Sequence, residues 1–170
     1  MDSAGTMLPD QVMEYTEQLK KAVKIPVAFH CHNNLGLSAA NAIAAYKGGA
    51  DILDCGLMGM ARSAGNLATE ICVAMMQRYG EMKDIDFYKL LQFINNRLMP
   101  AMQKENYHNP VPPLDLVLGF SGCHSSFVKK FKAAAEEKHV DLYRLIIAVS
   151  KINQKNPSDE LIAKIADELQ

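Results

Sequence analysis

The chain contains no tryptophan, no C-x-x-C spacing and no long apolar run. Its four cysteines, Cys31, Cys55, Cys72 and Cys123, lack the paired spacing of zinc knuckles, so we interpret them as reduced thiols of a cytoplasmic protein. Cys31 and Cys55 are interpreted as small core residues rather than nucleophiles. No apolar stretch approaches the ~20 residues that a membrane-spanning helix needs, so no membrane partner is expected.

An excess of charge of one sign is also missing. The net charge is -1, and the 18 basic and 19 acidic residues are scattered along the chain. This balance predicts no nucleic-acid partner. Hydrophobic residues, in contrast, make up 49% of the 170 residues, which is enough for a buried core in one or two domains.

The most informative stretch, residues 27–32, is an apolar run that ends in His30 and His32. Strand side chains alternate between two faces, so both imidazoles are expected on one face, with Val27 and Phe29 on the other. Two imidazoles in this arrangement can bind one metal ion, and the alternative is a pair of core or surface histidines without a ligand. A position at the end of a strand and before a helix, where α/β folds place their chemistry, favours the metal site.

The order of elements up to about Gly80 predicts an α/β fold. Helices are expected at about 9–23, 35–47 and 67–78, and strands at 25–32 and 50–57. Alternation of this kind favours parallel strand pairing. After Gly80 the strand signal nearly disappears. Further helices are expected at about 87–103, 125–138, 141–151 and 158–169, with a proline-rich connector at 109–113.

Other polar groups at loops and helix starts extend the candidate site. Asn66 is either a further oxygen ligand or the plain N-cap of the next helix. Asp2 is either a base beside the ligands or a loop cap, and Ser3 offers a hydroxyl. His124 starts a helix after a glycine turn, where it either donates a hydrogen bond to a substrate oxygen or serves as an ordinary cap.

The residues also limit the chemistry. Two imidazoles with oxygen ligands suit Mn²⁺, Zn²⁺, Co²⁺ or Fe²⁺, whereas Mg²⁺ prefers ligand sets made of oxygen alone. A catalytic metal needs at least three protein ligands, and His30 and His32 supply two. No lysine has the pocket-like context of a Schiff base, so metal-dependent carbanion chemistry is preferred.

Four motifs in this order resemble the metal-dependent TIM-barrel lyases called DRE-TIM metallolyases. They are D-S-A-G at 2–5, H-C-H-N-N-L-G-L at 30–37, G-x-x-G…A-G-N at 56–66 and G-F-S-G-C-H-S-S-F at 119–127. The last motif and its helical tail are similar to the C-terminal region of the 4-hydroxy-2-oxovalerate aldolases. The resemblance implies an α/β fold. Residues 1–83 would form the last βα units of a TIM barrel, and residues 84–170 an all-helical C-terminal domain.

The resemblance also implies a reaction, the aldol cleavage of a 4-hydroxy-2-oxo acid to pyruvate and an aldehyde. His30 and His32 would be metal ligands, and Asn66 would line the site or bind the metal. The implied cofactor is a divalent metal, preferably Mn²⁺, with Mg²⁺, Co²⁺ or Zn²⁺ as alternatives. It would act as a Lewis acid on the 2-oxo acid. An acylating aldehyde dehydrogenase that contacts the helical domain is the implied protein partner.

Asp2, Ser3 and His124 are the candidate catalytic residues, and Ser3 would lie near the substrate. His124 stands where the aldolases usually have tyrosine, which affects the expected preference for the aldehyde. The family's first-strand Arg-Asp-Gly segment, the source of a further metal ligand, is absent from the sequence. We therefore expect a fragment or a truncated relative that is inactive alone.

Two other interpretations compete with the aldolase. One is a relative that acts on acyl-CoA substrates, such as a hydroxymethylglutaryl-CoA lyase or an isopropylmalate synthase. The other is a non-catalytic helical module for docking a dehydrogenase or for self-association. Two strands cannot close a barrel, and their free edges favour homo-oligomerisation.

Overall fold

The computed structural model describes residues 5–61, 64–105, 107 and 113–170. Within these ranges the chain divides into two compact units, residues 5–90 with Tyr107, and residues 91–105 with 113–170. The first unit contains a small parallel sheet, and the second is helical in its described residues. Asp2, Ser3 and residues 109–112 of the expected connector lie outside the described residues.

The first unit begins with helix α1 (Pro9–Ala22), which agrees with the helix predicted at 9–23. Proline suits the start of a helix because the N–H that it lacks would have no partner there. Asp10 in the first turn and the lysines Lys20 and Lys21 in the last turn complement the helix dipole. Val12 faces the core and is almost fully buried.

Two short strands, β1 (Ala28–Phe29) and β2 (Ile52–Leu53), pair in parallel. Helix α2 (Ser38–Lys47) lies between them in the sequence. The predicted parallel pairing is therefore confirmed. The strands are much shorter than the predicted 25–32 and 50–57, because only two residue pairs form the parallel ladder, Ala28 with Ile52 and Phe29 with Leu53. Beyond it the two segments pair with the loop before the next helix, through isolated bridges from His32 to Asn66 and from Gly56 to Ala68.

Side chains of β1 and its continuation alternate between a packed face and an open face. Val27, Phe29 and Cys31 are buried, and Phe29 and Cys31 belong to the core that α1 and α2 help to form. His30 lies on the other face, which is accessible, and Ile52 of β2 is 53% exposed. The sheet thus packs on helices with one face and presents His30 on the other.

Helix α3 (Thr69–Arg78) follows a loop that contains a short 3₁₀ turn, Leu57–Gly59. Its N-cap position is Ala68, which makes no side-chain capping bond. The interpretation of Asn66 as the N-cap of this helix is therefore wrong. Pairing with His32 holds Asn66 outside the helix, so its side chain is not used for capping.

Glu70, in the first turn of α3, is a fully buried carboxylate that fixes this loop. Its Oε2 accepts a hydrogen bond of 3.0 Å from the backbone N–H of Met58. Met58 has a left-handed φ of +56°, a conformation that costs about 1–2 kcal/mol in residues other than glycine. The Tyr107 hydroxyl donates a 2.7 Å hydrogen bond to the Met58 carbonyl. Both backbone polar groups of Met58, its N–H and its carbonyl, are therefore hydrogen-bonded to side chains.

Replacing Glu70 with alanine is expected to lower the free energy of unfolding by about 3 kcal/mol, because the buried Met58 N–H then loses its acceptor. Glu70→Gln is the matched control, since it retains an acceptor oxygen of similar reach and should cost less. Urea unfolding followed by circular dichroism measures both changes. Equal midpoints for the wild type and the alanine variant would contradict this role for Glu70.

Beyond α3, helix α4 (Phe87–Phe93) continues through a π-helical segment, Ile94–Leu98, into helix α5 (Met99–Gln103). The sequence predicts a helix at 87–103 with an interruption near Pro100. The irregularity lies just before Pro100, where the Met99 N–H bonds to the Ile94 carbonyl. Proline has no N–H for the regular helical bond, so the wider turn accommodates it.

The remaining helices, with their bounds, are α6 (Pro113–Ser121), α7 (Val128–Lys138), α8 (Leu142–Ile152) and α9 (Asp159–Glu168). Helix α8 supplies the buried centre, with Leu145, Ile146 and Val149 almost fully inaccessible. The Ser158 hydroxyl accepts a hydrogen bond from the Leu161 N–H and caps α9. In the described part of the chain, no helix is long and apolar enough to cross a membrane.

Candidate metal centre

His30 and His32 lie side by side just after β1. Their ring centres are 5.5 Å apart and the ring planes are inclined by 75°. Two imidazoles that share one metal ion place their ring centres roughly 5 Å apart. The separation of the two rings is therefore compatible with a common ligand, as the H-x-H spacing predicts.

Asp54 orients His30. Its Oδ2 lies 2.7 Å from His30 Nδ1. An ionised carboxylate only accepts hydrogen bonds, so it places a proton on Nδ1, and in the neutral imidazole this leaves the lone pair on Nε2. A histidine fixed in this way by a carboxylate is the usual form of a metal-binding histidine.

Sequence reasoning did not identify Asp54, because its proximity depends on the strand register. Ala28 lies opposite Ile52, so the residues two places further along, His30 and Asp54, are also neighbours. The Asp54 N–H donates a 2.9 Å hydrogen bond to the Phe29 carbonyl, which holds this alignment beyond the strands. The available signal was an acidic residue at the end of the second predicted strand.

His32 and Asn66 contribute buried atoms without partners. Their backbones form an antiparallel bridge, and His32 is only 7% exposed. His32 Nδ1 and Asn66 Oδ1 are buried and have no hydrogen-bond partner among the described residues. A buried polar atom without a partner costs about 1–3 kcal/mol, so such atoms in a native structure call for an explanation. Both atoms are Lewis bases, and a metal ion would satisfy them.

Gly65 connects the Asn66 loop to the end of the His32 segment. Its carbonyl accepts a 2.8 Å hydrogen bond from the Asn33 N–H, and the next N–H, of Asn66, bonds to the Gly59 carbonyl at 3.0 Å. Gly65 has a φ of +83°, and a Cβ there would lie 2.5 Å from the Gly59 oxygen. The loop can approach the histidines this closely because the residue is glycine.

Gly5 makes a similar close approach from the segment before α1. With a φ of +63°, its Cα packs so tightly that an added Cβ would lie 2.7 Å from the Asn34 N atom and 2.9 Å from the His32 carbonyl oxygen. The described end of the first motif thus reaches the histidine segment. The candidate residues Asp2 and Ser3 themselves lie outside the described residues.

His124 belongs to the second unit. It occupies the N-cap position of a 3₁₀ turn, Ser125–Phe127, just before α7. Its Nδ1 accepts a 3.2 Å hydrogen bond from the Ser126 N–H and lies 2.9 Å from the Ser126 hydroxyl. The ordinary capping interpretation is therefore observed, and contact with a substrate stays a prediction.

The donors at this site suit a divalent metal. Two imidazoles and one amide oxygen form a mixed nitrogen and oxygen set of the kind that Mn²⁺, Co²⁺ and Zn²⁺ accept. Such a set leaves coordination positions for a further ligand and for substrate. The candidate set includes the amide of Asn66. In the described ranges, no group made only of His, Cys, Asp and Glu has the three or more side chains that could hold a metal ion.

The chain is similar to known proteins along nearly all of its length. Residues 1–96 match the sequence profile of a family described as HMGL-like. The chain is 34% identical to a 4-hydroxy-2-oxovalerate aldolase of Moorella thermoacetica and 35% identical to one of Carboxydothermus hydrogenoformans. Each alignment spans 168 residues and covers 99% of this chain and 49% of the relative. The chain thus spans about half the length of the curated relatives it matches.

A solved structure gives a similar result. An HMG-CoA lyase from Acenitobacter baumannii, in complex with coenzyme A and 3-methylmalate, superimposes with a TM-score of 0.55 at 29% identity. The superposition covers 64% of this chain and 36% of that lyase. The likeness therefore extends to the fold of the matched part.

Proposed function

Because the chain belongs to the HMGL-like family, we propose that it is part of a divalent-metal-dependent carbon–carbon lyase. The proposed substrates are 4-hydroxy-2-oxo acids, which are cleaved to pyruvate and an aldehyde. The aldolase names of relatives at 34% and 35% identity support 4-hydroxy-2-oxovalerate as the first substrate to test.

One observation carries the proposal. His32 Nδ1 and Asn66 Oδ1 are buried and have no hydrogen-bond partner in the described part of the chain, and they lie beside a His30 ring whose Nδ1 bonds to Asp54. Three Lewis-basic groups at the end of a parallel strand pair suit a cation better than they suit a protein core. The alternative of two histidines without a ligand leaves the buried atoms unexplained.

The proposed roles follow from these contacts. His30 Nε2, His32 and Asn66 would hold the metal, and Asp54 would keep the His30 ring oriented with its proton on Nδ1. When bound, the metal would supply Lewis-acid stabilisation for the charge that develops as the C3–C4 bond of the substrate breaks. Mn²⁺ is the proposed metal, with Mg²⁺, Co²⁺ and Zn²⁺ as alternatives.

Asp2, Ser3 and His124 remain the proposed catalytic residues. A retro-aldol cleavage requires removal of the proton of the 4-hydroxyl and later protonation of C3, so a base and a proton donor are needed. We propose that Asp2 and Ser3 take part in these proton transfers, because Gly5, three and two residues further along the chain, packs against His32 and Asn34.

The open face of the sheet supports a larger assembly. Ile52 is 53% exposed on the face that carries His30, whereas Phe29 on the opposite face is 7% exposed. We propose that β1 and β2 are the last two strands of a TIM barrel whose other strands cover this face and supply a further metal ligand. In this proposal residues 1–83 are the barrel part and residues 84–170 the helical domain. The chain alone is then inactive.

The same proposal includes the protein partners and the compartment. An acylating aldehyde dehydrogenase would dock on the helical domain, and the active form would be a homo-oligomer. The four cysteines are free, which suits the reducing cytoplasm.

The test is pyruvate release from 4-hydroxy-2-oxovalerate by the complete protein. Release is expected with Mn²⁺, is expected to stop after EDTA treatment, and should return when Mn²⁺ is added in excess. Lactate dehydrogenase and NADH report the pyruvate, and heat-denatured protein serves as the blank. A complete protein that binds Mn²⁺ but releases no pyruvate would contradict the aldolase assignment.

A second candidate is a lyase for acyl-CoA substrates. The observation in its favour is the superposition on an HMG-CoA lyase at a TM-score of 0.55. The same protein preparation, assayed for release of acetyl-CoA from hydroxymethylglutaryl-CoA, separates the two reactions. Activity on neither substrate would favour the non-catalytic docking module.

A further inference from the structure

Two cysteines outside the candidate metal centre lie together between β2 and α3. Cys55 follows the end of β2 and is partly accessible, whereas Cys72, in α3, is fully buried. Cys72 belongs to the hydrophobic core of the first unit, and Cys55 packs against that core. A hydrogen bond joins the two side chains, so one partly accessible thiol lies against one fully buried thiol.

Backbone hydrogen bonds fix this neighbourhood. The Gly56 N–H bonds to the Leu67 carbonyl at 3.0 Å, and the Thr69 N–H bonds to the Gly56 carbonyl at 2.9 Å. The Cys72 N–H bonds to the Ala68 carbonyl at 2.9 Å, one helical turn away. Cys55, next to Gly56, is therefore held beside the first turns of α3.

The two thiols have different electrostatic surroundings. A hydrogen bond from the Cys72 thiol, with a further one from Thr69, lowers the pKa of Cys55 to about 6 in spite of its partial burial. The bond to Cys55, together with burial, raises the pKa of Cys72. Cys55 is therefore the thiol of the pair that ionises first, and Cys72 is the partner that keeps its proton and donates the hydrogen bond. Thiolates, not thiols, attack electrophiles.

We propose that Cys55 and Cys72 form a peroxide-reactive dithiol, in which Cys55 attacks the oxidant and Cys72 resolves the product into a disulfide. The proposal is independent of the lyase activity. The sequence predicts Cys55 as a small core residue, and Cys55 does pack against the core, but the sequence gives no sign that Cys72 lies beside it.

The reaction balances with peroxide as the oxidant. The Cys55 thiolate attacks one peroxide oxygen, the O–O bond breaks, and hydroxide leaves and becomes water on protonation. The sulfur of Cys55 is then a sulfenic acid. The Cys72 sulfur attacks it, the S–O bond breaks, and a second water leaves. Two thiols and one peroxide thus become one disulfide and two waters.

The proposed disulfide would join the two ends of the segment that contains Asn66, a proposed metal ligand. Residues 56–71 lie between the two cysteines and include Gly65 and Asn66. Oxidation would therefore add a covalent tie between the end of β2 and α3, across the base of this loop.

The test treats the purified chain with hydrogen peroxide, alkylates the remaining thiols and maps the tryptic peptides. Cleavage after Arg62 separates Cys55 from Cys72, so the disulfide appears as two linked peptides lighter by two hydrogen atoms. Cys55 is expected to react about tenfold or more faster than Cys123, because burial raises the pKa of the Cys123 thiol. Equal rates at Cys55 and Cys123, or a link from Cys55 to Cys31, would overturn the proposal.

Variants identify the two roles. With Cys72→Ser, whose hydroxyl can still donate a hydrogen bond to Cys55, Cys55 is expected to stop at the sulfenic acid, which dimedone traps, and with Cys55→Ser no linked peptide should form. Cys123→Ser is the matched control and should give the same linked peptide as the wild type. A Cys72→Ser protein in which Cys55 reacts with peroxide no faster than Cys123 would contradict the assignment, and the wild-type map decides the question even if a variant fails to fold.

Discussion

Replacing His32 with alanine in the complete protein is expected to weaken Mn²⁺ binding by about 100-fold or more. Loss of a residue that only orients a ligand typically costs 10- to 100-fold in affinity, and loss of a ligand should cost at least as much. His32 is 7% exposed and its Nδ1 has no hydrogen-bond partner among the described residues, so this nitrogen is available to a metal ion. Electron paramagnetic resonance measures free Mn²⁺ directly, without any assay of activity.

The matched control is His139→Asn. His139 is an exposed histidine that ends α7 with a φ of +54°, a conformation that asparagine tolerates. This variant should bind Mn²⁺ like the wild type. Circular dichroism on both variants separates loss of the site from loss of the fold. A folded His32→Ala protein with the wild-type affinity would exclude His32 as a ligand.

Replacing Gly65 with alanine is expected to lower the free energy of unfolding by about 3 kcal/mol and to weaken Mn²⁺ binding as well. The left-handed φ of +83° costs about 1–2 kcal/mol for a residue with a Cβ. The added methyl group would also lie 2.5 Å from the Gly59 oxygen, so the loop must shift, at a cost typical of overpacking. That shift moves Asn66 and breaks the 2.8 Å bond from the Asn33 N–H. Urea unfolding and Mn²⁺ titration measure the two effects.

Gly36→Ala separates the two causes. Gly36 has a φ of +71°, but an added Cβ would meet no atom within 4 Å. It should therefore show the conformational cost alone and leave Mn²⁺ affinity unchanged. If both variants unfold at the same urea concentration and bind Mn²⁺ equally, Gly65 has no role in shaping the site.

Local patterns were enough to predict the faces of β1 and the described helices except α6, which begins at Pro113, inside the expected proline-rich connector. The spacing of Val12 and its neighbours and the position of Pro9 locate α1, because helical periodicity and end effects act over a few residues. The alternation of Phe29 and His30 predicts a buried and an open face for the same reason. The N-cap interpretation of Asn66 was wrong because an N-cap residue and a bridge residue can have the same local sequence, and only the pairing with His32 distinguishes them.

The sequence by itself determined the family, the parallel βα order and the histidine pair. Each of these is recognised from short motifs or patterns whose residues are close along the chain. Only the tertiary structure decided that Asp54 orients His30, that Asn66 lies beside His32, and that Cys55 meets Cys72. These pairs are separated by many residues along the chain, and strand register and loop closure bring them together. Such contacts depend on the packing of the whole unit, which no local pattern contains.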